Sequence, residues 1–151
     1  MYFDFSCWIP LPPTRKIIFQ ICVFLLVEDT NQYWAHRALH WSPLYQRIHK
    51  KYHTYSATFW FVGEYASPFE IILIGFGTVG FPFLYSKFTD SVHLFTFGVW
   101  IFIRVLGIVD SHSGYNLPWS AHQFLPFLAG PAYHDLHHKK SGGNYAMTFR
   151  W

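Results

Sequence analysis

Ten histidines stand in this chain of 151 residues, and eight of them fall in four places. "HRALH" holds His36 and His40, "HKKYH" holds His49 and His53, His112 stands apart, and "HDLHH" holds His134, His137 and His138. Residues three and four apart share one face of a helix. The first two stretches therefore each aim a pair of imidazoles at one point, and the third aims three. Imidazole nitrogen is the commonest biological ligand of zinc, iron and copper, and i, i+4 pairs are a usual way for helical bundles to hold such ions. A buried histidine without a partner carries a free-energy cost that nothing else in so apolar a chain offsets. A structural zinc needs only four ligands. Eight imidazoles suit two metal ions, and if the ions are iron, an all-nitrogen site with open positions binds and reduces dioxygen.

Ligating rings need partners that fix their tautomers. Glu28, Gln32, His36 and His40 follow one another at i+4, so Glu28 or Asp29 is placed to orient the first pair, while Asp110 and Asp135 are neighbours in sequence of His112 and His134. The plain alternative for each acid is a solvated or capping carboxylate. His93 and His122 belong to no cluster and read as packing or interfacial residues. Cys7 and Cys22 form no CxxC pair, so they suggest neither a disulfide framework nor a thiolate metal site and read as packed thiols in a reducing setting.

The elements that must position these rings are unusually apolar. The chain is 52% hydrophobic, 23% aromatic and only 13% charged, where a soluble domain carries about a quarter charged residues, and this points to a membrane. A formal charge of +3 with scattered basic residues lacks the stripe of a nucleic-acid binder. Asp4 and the lack of a basic lead-in argue against a secretory signal peptide.

Pro12 and Pro13 stop any earlier element and Thr14 is an acceptable N-cap, after which the chain reads as one long helix from Arg15 to His40. Its apolar part, Ile17 to Val27, is too short to span a bilayer core of about 30 Å alone. Pro68 to Tyr85 and Val92 to Val109 each lie near the lower limit of about 17 residues for a spanning helix, with "SKFTDS" as a polar turn between them. Gly75, Gly77 and Gly80 fit the small residues found where membrane helices approach, and Pro82 should bend the first span. The pair reads as a helical hairpin. After Val109 the chain is rich in Gly, Pro, His and aromatics, and reads as a cap at the membrane surface. The expected architecture is all-α: an integral membrane helical bundle with a membrane hairpin and a cytosolic histidine-rich cap. Two crossings between His53 and His112 return the chain to the side it left, so all four clusters can meet on one face. Arg37, Arg47, Lys50, Lys51, Lys139 and Lys140 sit among the histidines, and positive charge favours the cytosolic side.

These residues resemble the fatty acid hydroxylase superfamily, and within it the C-4 methylsterol monooxygenase (sterol desaturase-like) branch. The resemblance covers nearly the whole chain, through "EDTNQYWAHRALHWSPLYQRIHKKYH", "EYASPFE", "DSHSGYNLPWS" and "YHDLHHKKSGGNYAMTFRW" in that order. It implies a multi-pass protein of the endoplasmic reticulum membrane with a non-haem di-iron centre, two iron ions in all. Dioxygen and electrons relayed from NAD(P)H by a reductase through cytochrome b5 would oxidise the 4-methyl group of a sterol, stepwise toward the carboxylate. The partners implied are thus the sterol, O2, cytochrome b5 with its reductase, and the lipid bilayer, with no nucleic acid.

Carried over by position, the implied metal ligands are His36, His40, His49, His53, His112, His134, His137 and His138, with no catalytic residue beyond them. Asn116 is often acidic in the family and is a further candidate for metal contact. The second family box reads H-x-x-H-H, whereas here it is His49, Tyr52, His53: a tyrosine holds a ligand position. Either the site tolerates the changed ligand, or it binds one ion weakly, or the oxygenase activity is lost. Tyr133 is a smaller departure just outside the third box. The resemblance also implies that residues 1–151 are one domain, shorter at both ends than its relatives. The alternatives are a hydroxylase or desaturase of another lipid, a catalytically impaired scaffold homologue, and a zinc hydrolase.

Overall fold

The computed structural model describes residues 5–59 and 61–151. Asp4, on which the case against a signal peptide rests, lies outside them. The regular elements among the described residues are all helical, with no strand and two isolated bridges, Ser6 with His93 and Leu128 with Phe149.

The first helix, α1, spans Thr14–Leu39. Thr14 is not its N-cap. Pro13 takes that position with φ −56° and ψ 141°, and its carbonyl accepts from Lys16 (2.8 Å) and Ile17 (3.2 Å). The helix therefore begins one residue beyond the ring that fixes φ, with Thr14 already helical. Its buried stripe, Gln20, Phe24, Glu28, Gln32 and His36 at steps of four with Asp29 beside them, is mostly polar, and its outward face carries Ile18, Phe19, Cys22 and Leu26. A polar inside and apolar outside invert the usual soluble helix. They also correct the reading of the cysteines: Cys22 lies on the outward face, and both thiols are free and exposed.

Beyond α2, Ser42–Arg47, and a 3₁₀ turn, His49–Thr54, come two elements long and apolar enough to cross a bilayer, Pro68–Phe88 and Leu94–Ser111. Only 22% of each is buried within the protein. Core helices of a soluble protein would be mostly covered, so these faces suit lipid. The first comprises α3 (Pro68–Gly75), a π turn (Phe76–Gly80) and α4 (Phe81–Phe88). Pro82 is the physical cause of its irregularity. It has no N–H to offer Thr78 four residues back, and the indole of Trp100 donates to that carbonyl instead, at 2.8 Å. Gly77 lets this segment press on α1: a Cβ there would stand 3.1 Å from the Asn31 side chain and the Glu28 backbone. Asn31 Nδ2 in turn donates to the carbonyls of Leu73 (3.3 Å) and Ile74 (3.2 Å).

The second element, α5 (Leu94–Ser111), starts at His93, whose ring nitrogen accepts from the Phe95 amide while the other donates to the Trp8 carbonyl. Phe24, Val92 and Trp100 form an apolar core at this end of the bundle, ringed by Phe81, Tyr85 and Phe97. Arg104 of α5 pairs with Glu28 of α1 at 2.8 Å, both almost fully buried, which ties the two helices midway. The last helix, α6, spans Pro131–Lys140. Past it the chain returns to α1, where Asp29 accepts the amides of Met147 (3.2 Å), Thr148 (2.7 Å) and Phe149 (3.2 Å) and the indole of Trp151 (2.6 Å).

Candidate metal centre

Helix α1 delivers His36 on its buried stripe, and His40 stands at its C-cap. The second pair does not sit on an α-helix, as its spacing predicts. Ile48, at φ −124° and ψ −59°, breaks the path after α2, and residues 49–54 continue as a 3₁₀ turn. In that geometry residues i and i+3 eclipse, so the Tyr52 ring stacks on His49, with centroids 5.3 Å and planes 21° apart. A further kink at His53 (φ −85°, ψ 16°) brings its Nε2 to 3.0 Å from that of His49. His112 is the C-cap of α5, and α6 carries His134, His137 and His138.

All eight rings meet, in two adjacent groups. His36, His40, His49, His53 and His137 form one, and His112, His134 and His138 the other, with the ligand atoms of each group within 4.8 Å of one another. "HDLHH" therefore does not aim three rings at a single point. His137 and His138 are successive on α6 and diverge by about 100° around a helix, so the stretch serves both groups. His53 and His138 mark the boundary, with ring centroids 4.8 Å apart.

Within the first group the Nε2 atoms lie 3.1 Å apart for His36 and His49, 3.0 Å for His40 and His49, 3.2 Å for His40 and His137, 3.0 Å for His49 and His53, and 3.1 Å for His53 and His137. Ligands at right angles around an ion about 2.1 Å from each nitrogen stand about 3.0 Å apart. In the second group His112 and His134 are separated by 3.0 Å and His134 and His138 by 3.2 Å. Here the Tyr52 hydroxyl lies 2.7 Å from His112 Nε2 and 2.9 Å from His134 Nε2.

The tautomers show that these contacts are not ordinary hydrogen bonds. A carbonyl only accepts, so a ring nitrogen facing one carries the proton. His36 Nδ1 donates to the Tyr145 carbonyl (2.8 Å), His137 Nδ1 to that of Gly143 (2.6 Å) and His112 Nδ1 to that of Ile108 (2.9 Å), so these three rings present a bare lone pair at Nε2. His49 Nδ1 meets the Glu70 carboxyl at 2.6 Å. A ring nitrogen has one lone pair or one N–H and makes one hydrogen bond, yet His49 Nε2 has the Nε2 atoms of His36 (3.1 Å), His40 (3.0 Å) and His53 (3.0 Å) around it, a crowding that a shared cation resolves.

Acid does not supply that cation near neutral pH. Burial pulls His49, His112 and His137 down to about 4, His40 and His138 to about 3, and His53 to about 2, with His36 and His134 held well below the ordinary histidine range. Repulsion between neighbouring rings adds to burial for most of them, and it keeps the cluster neutral as metal binding requires. Burial also raises the Tyr52 phenol above its ordinary value, with the nearby Glu70 adding to the shift.

The partners of the rings differ from those expected. Glu28 is paired with Arg104, Asp29 with the C-terminal amides, Asp110 with Ser120 (2.6 Å) and Asp135 with Lys139 (2.6 Å). None of the four is hydrogen-bonded to a site histidine, because each has a cation, a hydroxyl or a set of N–H donors nearer at hand. Asn116 is exposed and accepts from His122 (2.6 Å) and Gln123 (2.8 Å), which takes its oxygen away from the rings. The carboxylate that does serve is Glu70. Its sequence signal is "SPFE", a capping spelling at the head of an apolar run: Ser67 Oγ accepts the Glu70 amide at 3.2 Å, which fixes the start of α3, and Glu70 Oε1 reaches His49. The carbonyls of Gly143 and Tyr145 come from "SGGNY", where Ser141, Gly143 and Asn144 all have positive φ and curl the chain back over α6. No side-chain pattern announces them.

A cavity of about 150 Å³ adjoins both groups, lined by His36, Tyr52, Glu70, Arg104, His112 and Met147 among others. It opens between α1 and the two long apolar elements, on their side of the histidines.

Residues 21–151 match the family model described as fatty acid hydroxylase. The chain is 51% identical over 150 residues to methylsterol monooxygenase erg25B of Aspergillus fumigatus, covering 99% of this chain and 51% of that protein. It is 48% identical over 149 residues to C-4 methylsterol oxidase erg25 of Schizosaccharomyces pombe (99% and 50%), and 44% identical over 144 residues to very-long-chain aldehyde decarbonylase GL1-8 of Oryza sativa subsp. indica (93% and 52%). The chain spans about half the length of the curated relatives it matches. No solved structure matches it significantly.

Proposed function

The chain belongs to the fatty acid hydroxylase family, and on that premise we propose that it forms the metal-binding part of a membrane-bound methylsterol monooxygenase. Two iron ions are held, one by His36, His40, His49, His53 and His137 and the other around His112, His134 and His138. Iron at these positions supplies the reduction of dioxygen and with it the oxidation of the C-4 methyl group of a sterol intermediate. The observation that carries this reading is His49 Nε2, which makes one hydrogen bond at most and yet has the Nε2 atoms of His36, His40 and His53 at 3.1, 3.0 and 3.0 Å.

The chain's own residues hold, orient and admit. Glu70 and the carbonyls of Tyr145, Gly143 and Ile108 fix the ring tautomers. The cavity, at about 150 Å³, is smaller than the roughly 300–1,000 Å³ that encloses a drug-sized ligand, so it takes the reacting end of a large lipid while the rest stays outside. Pro68–Phe88 and Leu94–Ser111 form a membrane hairpin through which an insoluble substrate reaches the metals from the bilayer. Arg37, Arg47, Lys50, Lys51, Lys139 and Lys140 surround the histidine end against Arg15, Lys16 and Lys87 at the other, and Lys16 is paired with Asp90. The histidine cap thus faces the cytosol from the endoplasmic reticulum membrane, where cytochrome b5 and its NAD(P)H-dependent reductase deliver electrons.

Incubation of the membrane-embedded protein with a 4-methylsterol, NAD(P)H, the b5 system and O2 tests the substrate. Hydroxymethyl and carboxylate sterols are expected. The rice relative named for aldehyde decarbonylation, 44% identical over the same region, favours one second reading, in which the same histidine frame serves another lipid. Turnover of acyl lipids or aldehydes with no sterol product would establish that reading instead.

A further inference from the structure

We propose that Tyr52 is itself a metal ligand, completing the three-histidine group with a phenolate oxygen, so that the two metal positions differ in kind as well as in number of donors. This rests on the metal-centre reading above and goes beyond it. The tyrosine stands where the superfamily box has histidine, and its hydroxyl does not join the histidines of its own turn. It passes alongside the His49 ring, reaches further than an imidazole, and ends 2.7 Å from His112 Nε2 and 2.9 Å from His134 Nε2. With the separations of 3.0 and 3.2 Å among His112, His134 and His138, the four donor atoms show the spacing seen in the five-histidine group.

Hydrogen bonding alone is a poor account of this position. Because His112 Nδ1 donates to Ile108, its Nε2 is an acceptor and takes the one phenol proton. His134 Nε2 is then surrounded by Tyr52, His112 and His138 with at most one proton of its own, and its Nδ1 is buried without a partner. An ion among the four satisfies every Nε2 and the oxygen at once. Coordination displaces the phenol proton to solvent, as it does for other acidic ligands, and tyrosine is an established iron ligand in haem proteins. The turn "HKKYH" then bridges the centre, with His49 and His53 on one ion and Tyr52 on the other. The anionic oxygen favours the iron(III) state at its own position over the all-imidazole one.

The test is spectroscopic. The purified protein is loaded with iron(II) and oxidised with ferricyanide, a one-electron oxidant. A phenolate-to-iron(III) charge-transfer band in the visible is expected, with phenolate ring modes in the resonance Raman spectrum excited within it. Both should vanish in Tyr52→Phe and in Tyr52→His, while Tyr52→His keeps two irons per chain. Two bound irons with no such band would overturn the proposal and leave the histidine centre standing, as would a band that survives Tyr52→Phe. Failure of the native protein to bind any iron would overturn the centre and the ligand together.

Discussion

Glu70 is the sharpest place to perturb the centre without touching a ligand. Its carboxyl group meets His49 Nδ1 at 2.6 Å with both side chains buried (0% and 1% exposed), so removing it leaves a buried ring nitrogen unsatisfied at a cost of about 1–3 kcal/mol. It fixes the His49 tautomer and makes Nε2 more basic. Loss of such an outer partner lowers metal affinity by about 10–100-fold, or about 1.4–2.8 kcal/mol, in line with the bond itself. Glu70→Ala should therefore weaken iron binding by about 10–100-fold in a competition titration against a chromogenic chelator. Glu70→Gln keeps an acceptor and loses only the charge, so its effect should fall at the low end, about 10-fold. The metal-free protein should respond differently. Glu70 Oε2 is buried without a partner, and glutamine keeps a group that can hydrogen-bond His49 without ionising, so Glu70→Gln should leave the apo melting midpoint unchanged. Unaltered iron affinity in Glu70→Ala, or a Gln variant worse than the Ala variant, would refute the reasoning.

Other perturbations follow from the same geometry. Asp29→Ala removes the acceptor of four N–H donors from residues 147–151 and should destabilise the protein by about 3 kcal/mol, seen as a lowered denaturation midpoint, with weaker iron binding because Tyr145 lies on the same returning segment. Gly63→Ala places a Cβ 3.1 Å from His112 Cε1 and from Ile108. It should lower iron occupancy of the three-histidine group in metal analysis while far-ultraviolet circular dichroism stays the same. For pH, the folded protein holds His49, His112 and His137 at about 4 against about 6.5 in an unfolded chain. The unfolded chain therefore binds more protons between those values, and stability rises with pH across that window. Apo melting midpoints should fall as the pH is lowered from about 6.5 toward 4; a midpoint that rises on acidification across that window would contradict the neutral cluster.

Much of this centre was legible in the residue order, for identifiable reasons. The i, i+4 spacing of His36 and His40 and the adjacency in "HDLHH" survive folding because helix geometry is local, and the even number of apolar segments between His53 and His112 brings distant rings to one end. What was not legible depends on tertiary contacts. Glu28 looked like a partner for His36 because it shares its helix face, but Arg104, 76 residues away in sequence, claims it. The 3₁₀ path of "HKKYH" follows from the break at Ile48, which no propensity signals, and it is this path that sends Tyr52 to the second group. The carbonyls of Gly143 and Tyr145 act through backbone direction, set by left-handed residues at 141, 143 and 144, so their role has no side-chain signature. The π turn was half visible: Pro82 predicted a bend, and the structure places the irregularity in the turn before it.

Metal analysis of the protein purified from iron-replete cells, joined to X-ray absorption at the iron edge, decides whether the two histidine groups are iron sites. Two irons per chain, surrounded by imidazole nitrogens near 2.1 Å with the Tyr52 oxygen on one of them, are expected; a protein that takes up no iron, or holds zinc alone, would refute the iron reading.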